Sequence, residues 1–113
     1  MWRDQADLLD ILLAARKARS FVQTASWKQF ESNEVLQNAC ISMLEMIGEA
    51  ARNVSADFRS LHPEIPWADM IGLRHRLIHE YSRINLMTVW DTLQKNLPQL
   101  IDLIEPLVPD QSR

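Results

Sequence analysis

Apolar residues recur every three to four positions along almost the whole chain, with polar residues between them. That period predicts amphipathic helices packed on a shared core. Over residues 3–22 it is carried by Ala6, Leu9, Leu12 and Leu13. Asp4, Asp7 and Asp10 lie toward the start of this stretch, and Arg16, Lys17 and Arg19 toward its end. Such polarity complements the helix dipole, so one long helix is expected. Ser26-Trp27-Lys28-Gln29 reads as a capping box that opens a short helical turn. Asn33 can cap a second long helix, whose seam of Leu36, Cys40, Met43, Ile47, Ala50 and Val54 alternates spacings of four and three, as bundle seams do. That helix should fade between residues 53 and 56.

Residues 58–65 read as a connector, followed by Pro66 at the first position of a third helix with Asp69 in its first turn. Trp67, Met70, Ile71, Leu73, Leu77 and Ile78 give this helix its apolar side, and Trp67, Met70 and Trp90 read as core. Residues 82–85 break it, and Asn85 can cap a last helix running through Trp90, Leu93 and Leu97. Pro98 removes one of its hydrogen bonds, so a kink or restart is predicted there, before Leu100, Ile101, Ile104, Leu107 and Val108. The expected fold is all-α: an antiparallel up-down bundle of four main helices plus short helical turns, with residues 1–113 as a single domain.

Composition narrows the function. Apolar residues make up 47% of 113 and charged residues 24%, with two glycines and five prolines. The net charge of −3 argues against bulk attraction to nucleic acid, so any such contact needs a local patch. Residues 74–83 offer one, with three arginines against Glu80 and two histidines besides. The single cysteine, Cys40, cannot form an internal disulfide and fits a reducing cytoplasm. Met1-Trp2-Arg3-Asp4 carries charge where a signal peptide needs an apolar run, and no stretch reaches membrane-spanning length. A cytoplasmic protein without membrane contact is expected.

Arg74-His75-Arg76-Leu77-Ile78-His79-Glu80-Tyr81 concentrates the candidate chemistry. His75 and His79, four apart, share a helix face. Arg74 and Tyr81, seven apart, also share one if the helix runs that far. Arg74 and His79, five apart, lie about 140° from each other around an ideal helix. To act on one phosphate, they need either a distorted helix end or a second subunit, which points to a homodimer. Three readings of the cluster stand side by side. The His75–His79 pair is the helical half of a zinc site, but a third ligand is missing and the arginines repel a cation. In a metal-free RNA cleavage, histidine moves protons near neutral pH and arginine grips phosphate at two oxygens. Attack by the ribose 2′-hydroxyl would select RNA over DNA. In the third reading the charges form a solvated face, Arg74 and Arg76 pair with Glu80 or Asp69, and Tyr81 anchors the following loop. Glu45 and Glu49 on the second helix can pair with Arg52 or with the arginines of the cluster.

The run Arg74-x-x-x-x-His79-x-Tyr81 resembles the signature of the HepT-like branch of the HEPN superfamily. Its surroundings agree over nearly the whole chain: Leu44-Glu45-Met46-Ile47-Gly48-Glu49-Ala50, Pro63-Glu64-Ile65-Pro66-Trp67, Val89-Trp90-Asp91 and Leu97-Pro98. The resemblance implies a HEPN-like helical bundle that dimerises and places two motifs in a shared cleft. It also implies a metal-independent ribonuclease, without cofactor, that is the toxin of a toxin–antitoxin pair. The partner it implies is a minimal nucleotidyltransferase antitoxin that silences the toxin by adding AMP to the motif tyrosine. Carried over by position, Arg74 would stabilise the phosphate, His79 would be the general acid/base and Tyr81 would be modified. His75 and Arg76 are possible auxiliary groups. His75 stands where the family often has asparagine or aspartate, and could supply a second proton-transfer group. Glu80 replaces a common glycine and brings a carboxylate that repels an RNA backbone. The competing expectation is a non-catalytic module in which the basic cleft holds a nucleotide or docks the nucleotidyltransferase.

Overall fold

Side-chain caps at four sites start the helices of this chain, as the computed structural model, which describes residues 2–109, shows. The order is α1 (Trp2–Val22), α2 (Trp27–Glu31), α3 (Glu34–Asn53), α4 (Ala56–Leu61), α5 (Trp67–His79), α6 (Leu86–Asp91) and α7 (Leu97–Ile104). At α2 the predicted capping box is complete: the Gln29 N–H donates to Ser26 Oγ at 3.2 Å, and the Ser26 N–H to Gln29 Oε1 at 2.8 Å. The Asn33 side chain accepts from the Leu36 N–H at 3.0 Å, and Asn85 accepts from Met87 and Thr88. Each bond satisfies a donor that the first helical turn leaves open.

The long helices pack in sequence, α1 on α3 and α3 on α5, while α7 returns to α1. The fold is all-α, and its buried side chains form one hydrophobic cluster. On α3 most of the predicted seam is observed: Cys40, Ile47, Ala50 and Val54 are buried, Leu36 and Met43 are half-buried against the core, and Leu44 and Ala51 join the buried face. On α1 it is not. Ala6 and Leu13 are exposed, and the buried face is Asp4, Leu8, Ile11, Leu12, Ala15, Ala18 and Val22. Apolar residues surround much of that helix, so periodicity alone cannot choose the face. Trp67 and Trp90 belong to different aromatic groups: Trp90 meets Trp27 and Phe30, with centroids 6.1 and 5.2 Å away, while Trp67 packs edge-on to Phe58 at 6.3 Å. Residues 58–65, expected as a connector, begin inside α4. Ser55 caps this helix through the Phe58 N–H at 3.2 Å.

Pro98 produces a restart of a specific kind. Residues Thr92–Asn96 form a π turn, in which the Leu97 N–H reaches back five residues to the Thr92 carbonyl. Pro98 then falls in the first turn of α7, where its missing N–H costs nothing. The widened turn leaves the Leu93 carbonyl without its usual partner at Leu97. Arg19 of α1 donates to it at 3.0 Å and to Gln94 Oε1 at 3.1 Å.

Asp4 is 4% exposed, and its carboxylate accepts from both the N–H and the hydroxyl of Ser55, each at 2.8 Å. Those bonds, the backbone one foremost, hold its carboxyl below the usual carboxylate range against the opposing effect of burial. Burial alone raises the fully enclosed Cys40 thiol to about 11. We predict that Asp4→Ala lowers unfolding free energy at neutral pH by about 1–3 kcal/mol, because Ser55 loses both acceptors. A carboxyl depressed in the folded state stabilises above its unfolded pKa and loses that contribution as pH falls through the folded value. The gap between parent and variant in denaturant titrations should therefore close below about pH 4.

Candidate active site

The basic cluster sits at the C-terminal end of α5, which keeps α geometry through His79. The Glu80 N–H closes the helix on the Arg76 carbonyl at 2.9 Å, and a 3₁₀ turn, Tyr81–Arg83, follows. The helix therefore does not run as far as Tyr81, and the face that Arg74 and Tyr81 would have shared on a longer helix is not formed. No distortion brings Arg74 and His79 onto one side. Within the chain they keep the oblique relation of an ideal helix.

Arg74 is planted against α3. A Cβ added at Gly48 would stand 2.3 Å from Arg74 Cβ and 2.8 Å from the Met70 carbonyl oxygen, so only glycine lets the helices approach this closely. The Arg74 guanidinium reaches Glu49 at 3.3 Å, and Arg52 grips the same carboxylate with two bonds of 3.2 Å. Hydrogen bonding from Arg52 leads, joined by the charges of Arg52 and Arg74, and holds the Glu49 carboxyl below its ordinary range. A half-exposed pair of this kind adds little stability, and what it supplies is orientation. This single ion-pair contact, with no aligned hydrogen bond, leaves the fork's donors for an anion. Of the pairings the sequence left open for Glu49, both occur.

His75 and His79 lie on the exposed outer face of α5 with ring centroids 4.3 Å apart and planes inclined by 43°. Among the described residues, no group of three or more histidine, cysteine or carboxylate side chains is placed to hold a metal ion. Arg76 stands elsewhere. It lines a cleft of about 280 Å³ with Thr88, Thr92 and Asn96, on the side of α5 that faces α6 and α7. Tyr81 is 75% exposed and borders a shallow hollow with Glu31, Glu34 and Gln37. The chain thus brings the two histidines together, holds Arg74 by Glu49, and sets Arg76 and Tyr81 apart. The packing role of Gly48, which enters the sequence reading only within the run 44–50, is not legible in sequence because nothing local distinguishes a glycine needed for contact between helices.

A family model described as "Ribonuclease HepT-like" matches residues 11–107. A candidate RNase of Methanocaldococcus jannaschii, MJ1380, is 36% identical over 101 residues, which cover 89% of this chain and 93% of that protein. A protein of Thermococcus cleftensis named as a probable ribonuclease HepT is 37% identical over 108 residues, 95% of this chain and 98% of its own. A candidate RNase of Caldanaerobacter subterraneus is 39% identical over 79 residues, 70% of each chain. No solved structure matches the chain. No helix among the described residues is long and apolar enough to cross a membrane.

Gly48→Ala should force α5 away from α3. We predict a loss of about 1–3 kcal/mol in denaturant unfolding, the usual cost of overpacking.

Proposed function

The chain belongs to the ribonuclease HepT-like family, and on that footing we propose that it is a metal-independent endoribonuclease, the toxin of a toxin–antitoxin pair. The observation that carries this reading is the division of labour on α5. An always-charged arginine is held by α3, and two imidazoles in contact stand on the outer face, about 100° and 140° around the helix from it. The cut needs a base to take the proton of a ribose 2′-hydroxyl, a cation for the charge gathering on the phosphate, and an acid for the departing 5′-oxygen. The 2′-oxygen bonds to phosphorus, the bond to the 5′-oxygen breaks, and a cyclic phosphate and a 5′-hydroxyl remain. His79 is the general acid/base, His75 the second proton carrier, and Arg74 the phosphate ligand.

Since the helix does not bend to bring Arg74 and His79 together, a homodimer pooling two copies of the motif completes the site. The substrate is RNA, because the nucleophile is the 2′-hydroxyl. Tyr81 is where a minimal nucleotidyltransferase partner attaches AMP. Its exposure of 75% leaves the hydroxyl within reach of such an enzyme. The added phosphate would engage the arginine charge and fill the cleft. Arg76 faces α6 and α7 and serves at most as an auxiliary group at the margin. The site belongs in the cytoplasm, where RNA and partner are both found.

A non-catalytic docking subunit is the competing reading, favoured by the Glu49 carboxylate already paired to Arg74. Growth arrest on expression without the partner separates the two. His79→Ala should reduce RNA cleavage by about 10²–10⁴-fold while its helical spectrum and oligomeric state stay those of the parent. Undiminished cleavage removes His79 from catalysis. Tyr81→Phe should still arrest growth, but the partner should neither transfer AMP to it nor relieve the arrest. Mass spectrometry of the co-expressed proteins reads the transfer directly.

A further inference from the structure

Beside the histidines lies a second feature that the cleavage chemistry does not use. An open groove of about 970 Å³ runs between α4, the connector 62–66 and the outer face of α5. Its α5 wall is low. Ala68 and Gly72 lie one turn apart, and a Cβ at Gly72 would meet nothing within 4 Å. From Ala68 to His75 the wall covers about 10 Å of helix axis. At the α5 end stands His75, whose ring touches that of His79. On the α4 side stands Arg59. Its Nε is buried without a hydrogen-bond partner, and no ion pair involves its guanidinium among the described residues. Asp69 is the one carboxylate among the lining residues. A guanidinium on a groove wall with no carboxylate or carbonyl partner among the described residues has donors to offer an acceptor from outside the chain.

We propose that this groove holds the single-stranded RNA backbone that flanks the cleaved linkage, with Arg59 donating to a phosphate at least one nucleotide away from it. The proposal rests on the ribonuclease reading and adds a substrate-binding residue outside the R-x₄-H-x-Y motif. An open groove with an apolar floor and a guanidinium on one wall suits an extended strand. Continuity through the touching imidazoles leads that strand from Arg59 to the scissile position. Arg59 takes no part in the bond changes, so its loss should act on binding alone.

The test compares parent, Arg59→Ala and Arg59→Lys in the full chain, with unfolding temperature confirming an intact fold. On a single-stranded RNA of about a dozen nucleotides, Arg59→Ala should raise KM on the order of tenfold with kcat unchanged, and Arg59→Lys should recover most of the loss. A dinucleotide, too short to reach Arg59, should be cleaved equally by all three. Anisotropy binding of the longer RNA in a His79→Ala background reads the contact without cleavage. There the slope of log affinity against log salt should shallow by about 0.7 on removing Arg59, one phosphate contact fewer. Unchanged KM and salt slope overturn the proposal, as does an equal loss on the dinucleotide. Weakened nucleotidyltransferase binding with RNA binding intact overturns it too, and makes the groove a protein dock. An Arg59-dependent salt slope in a protein that cuts no RNA leaves the groove standing and removes the nuclease reading. Absence of any RNA binding removes both.

Discussion

Everything proposed for the α5 cluster depends on α3 and α5 meeting at Gly48 with no side chain between them. Arginine is long and flexible, and left to itself on a surface helix it samples many rotamers. Here its Cβ is pressed against a backbone, and its guanidinium meets a carboxylate that Arg52 already holds. The result is a cation with a defined origin and direction, obtained by packing rather than by a strong ion pair. The histidines have the opposite setting, exposed on the solvent side of the same helix with their rings in contact. A held charge and two exposed imidazoles on one helix form a division suited to the phosphate chemistry proposed above.

A comparable economy governs the C-terminal segment. Pro98 would break an ordinary helix, yet the π turn over Thr92–Asn96 places it in the first turn of the next one. The carbonyl freed by that turn is satisfied by Arg19 from the first helix. A local defect thereby becomes a bond between distant parts of the chain, and α7 is held to α1 by polar contact as well as by apolar burial.

Much of this was legible in the residues. The capping box at Ser26, the caps at Asn33 and Asn85, the seam of α3 and the restart at Pro98 all obey local rules, and local rules can be read from local sequence. The burial of α1 was not legible, because a helix apolar on most sides offers no preferred face until its neighbours are in place. Helix α4 was hidden by its short length and polar character. At the site, the oblique placement of Arg74 and His79 followed from helical geometry alone, and the structure keeps it. The early end of the helix did not follow, so Tyr81 stands apart from Arg74's face. Gly48 and Arg59 were invisible for one reason: each acquires its meaning only from a partner element that sequence spacing cannot place.

Cys40 carries a practical consequence. It is the chain's only sulfhydryl, wholly enclosed, and raised to about 11, so thiolate is scarce and reagents cannot reach it. The native protein is thus spectroscopically silent toward maleimide dyes and spin labels. Any engineered surface cysteine becomes a unique attachment point, and whether two copies of the chain associate could be followed without first mutating the interior.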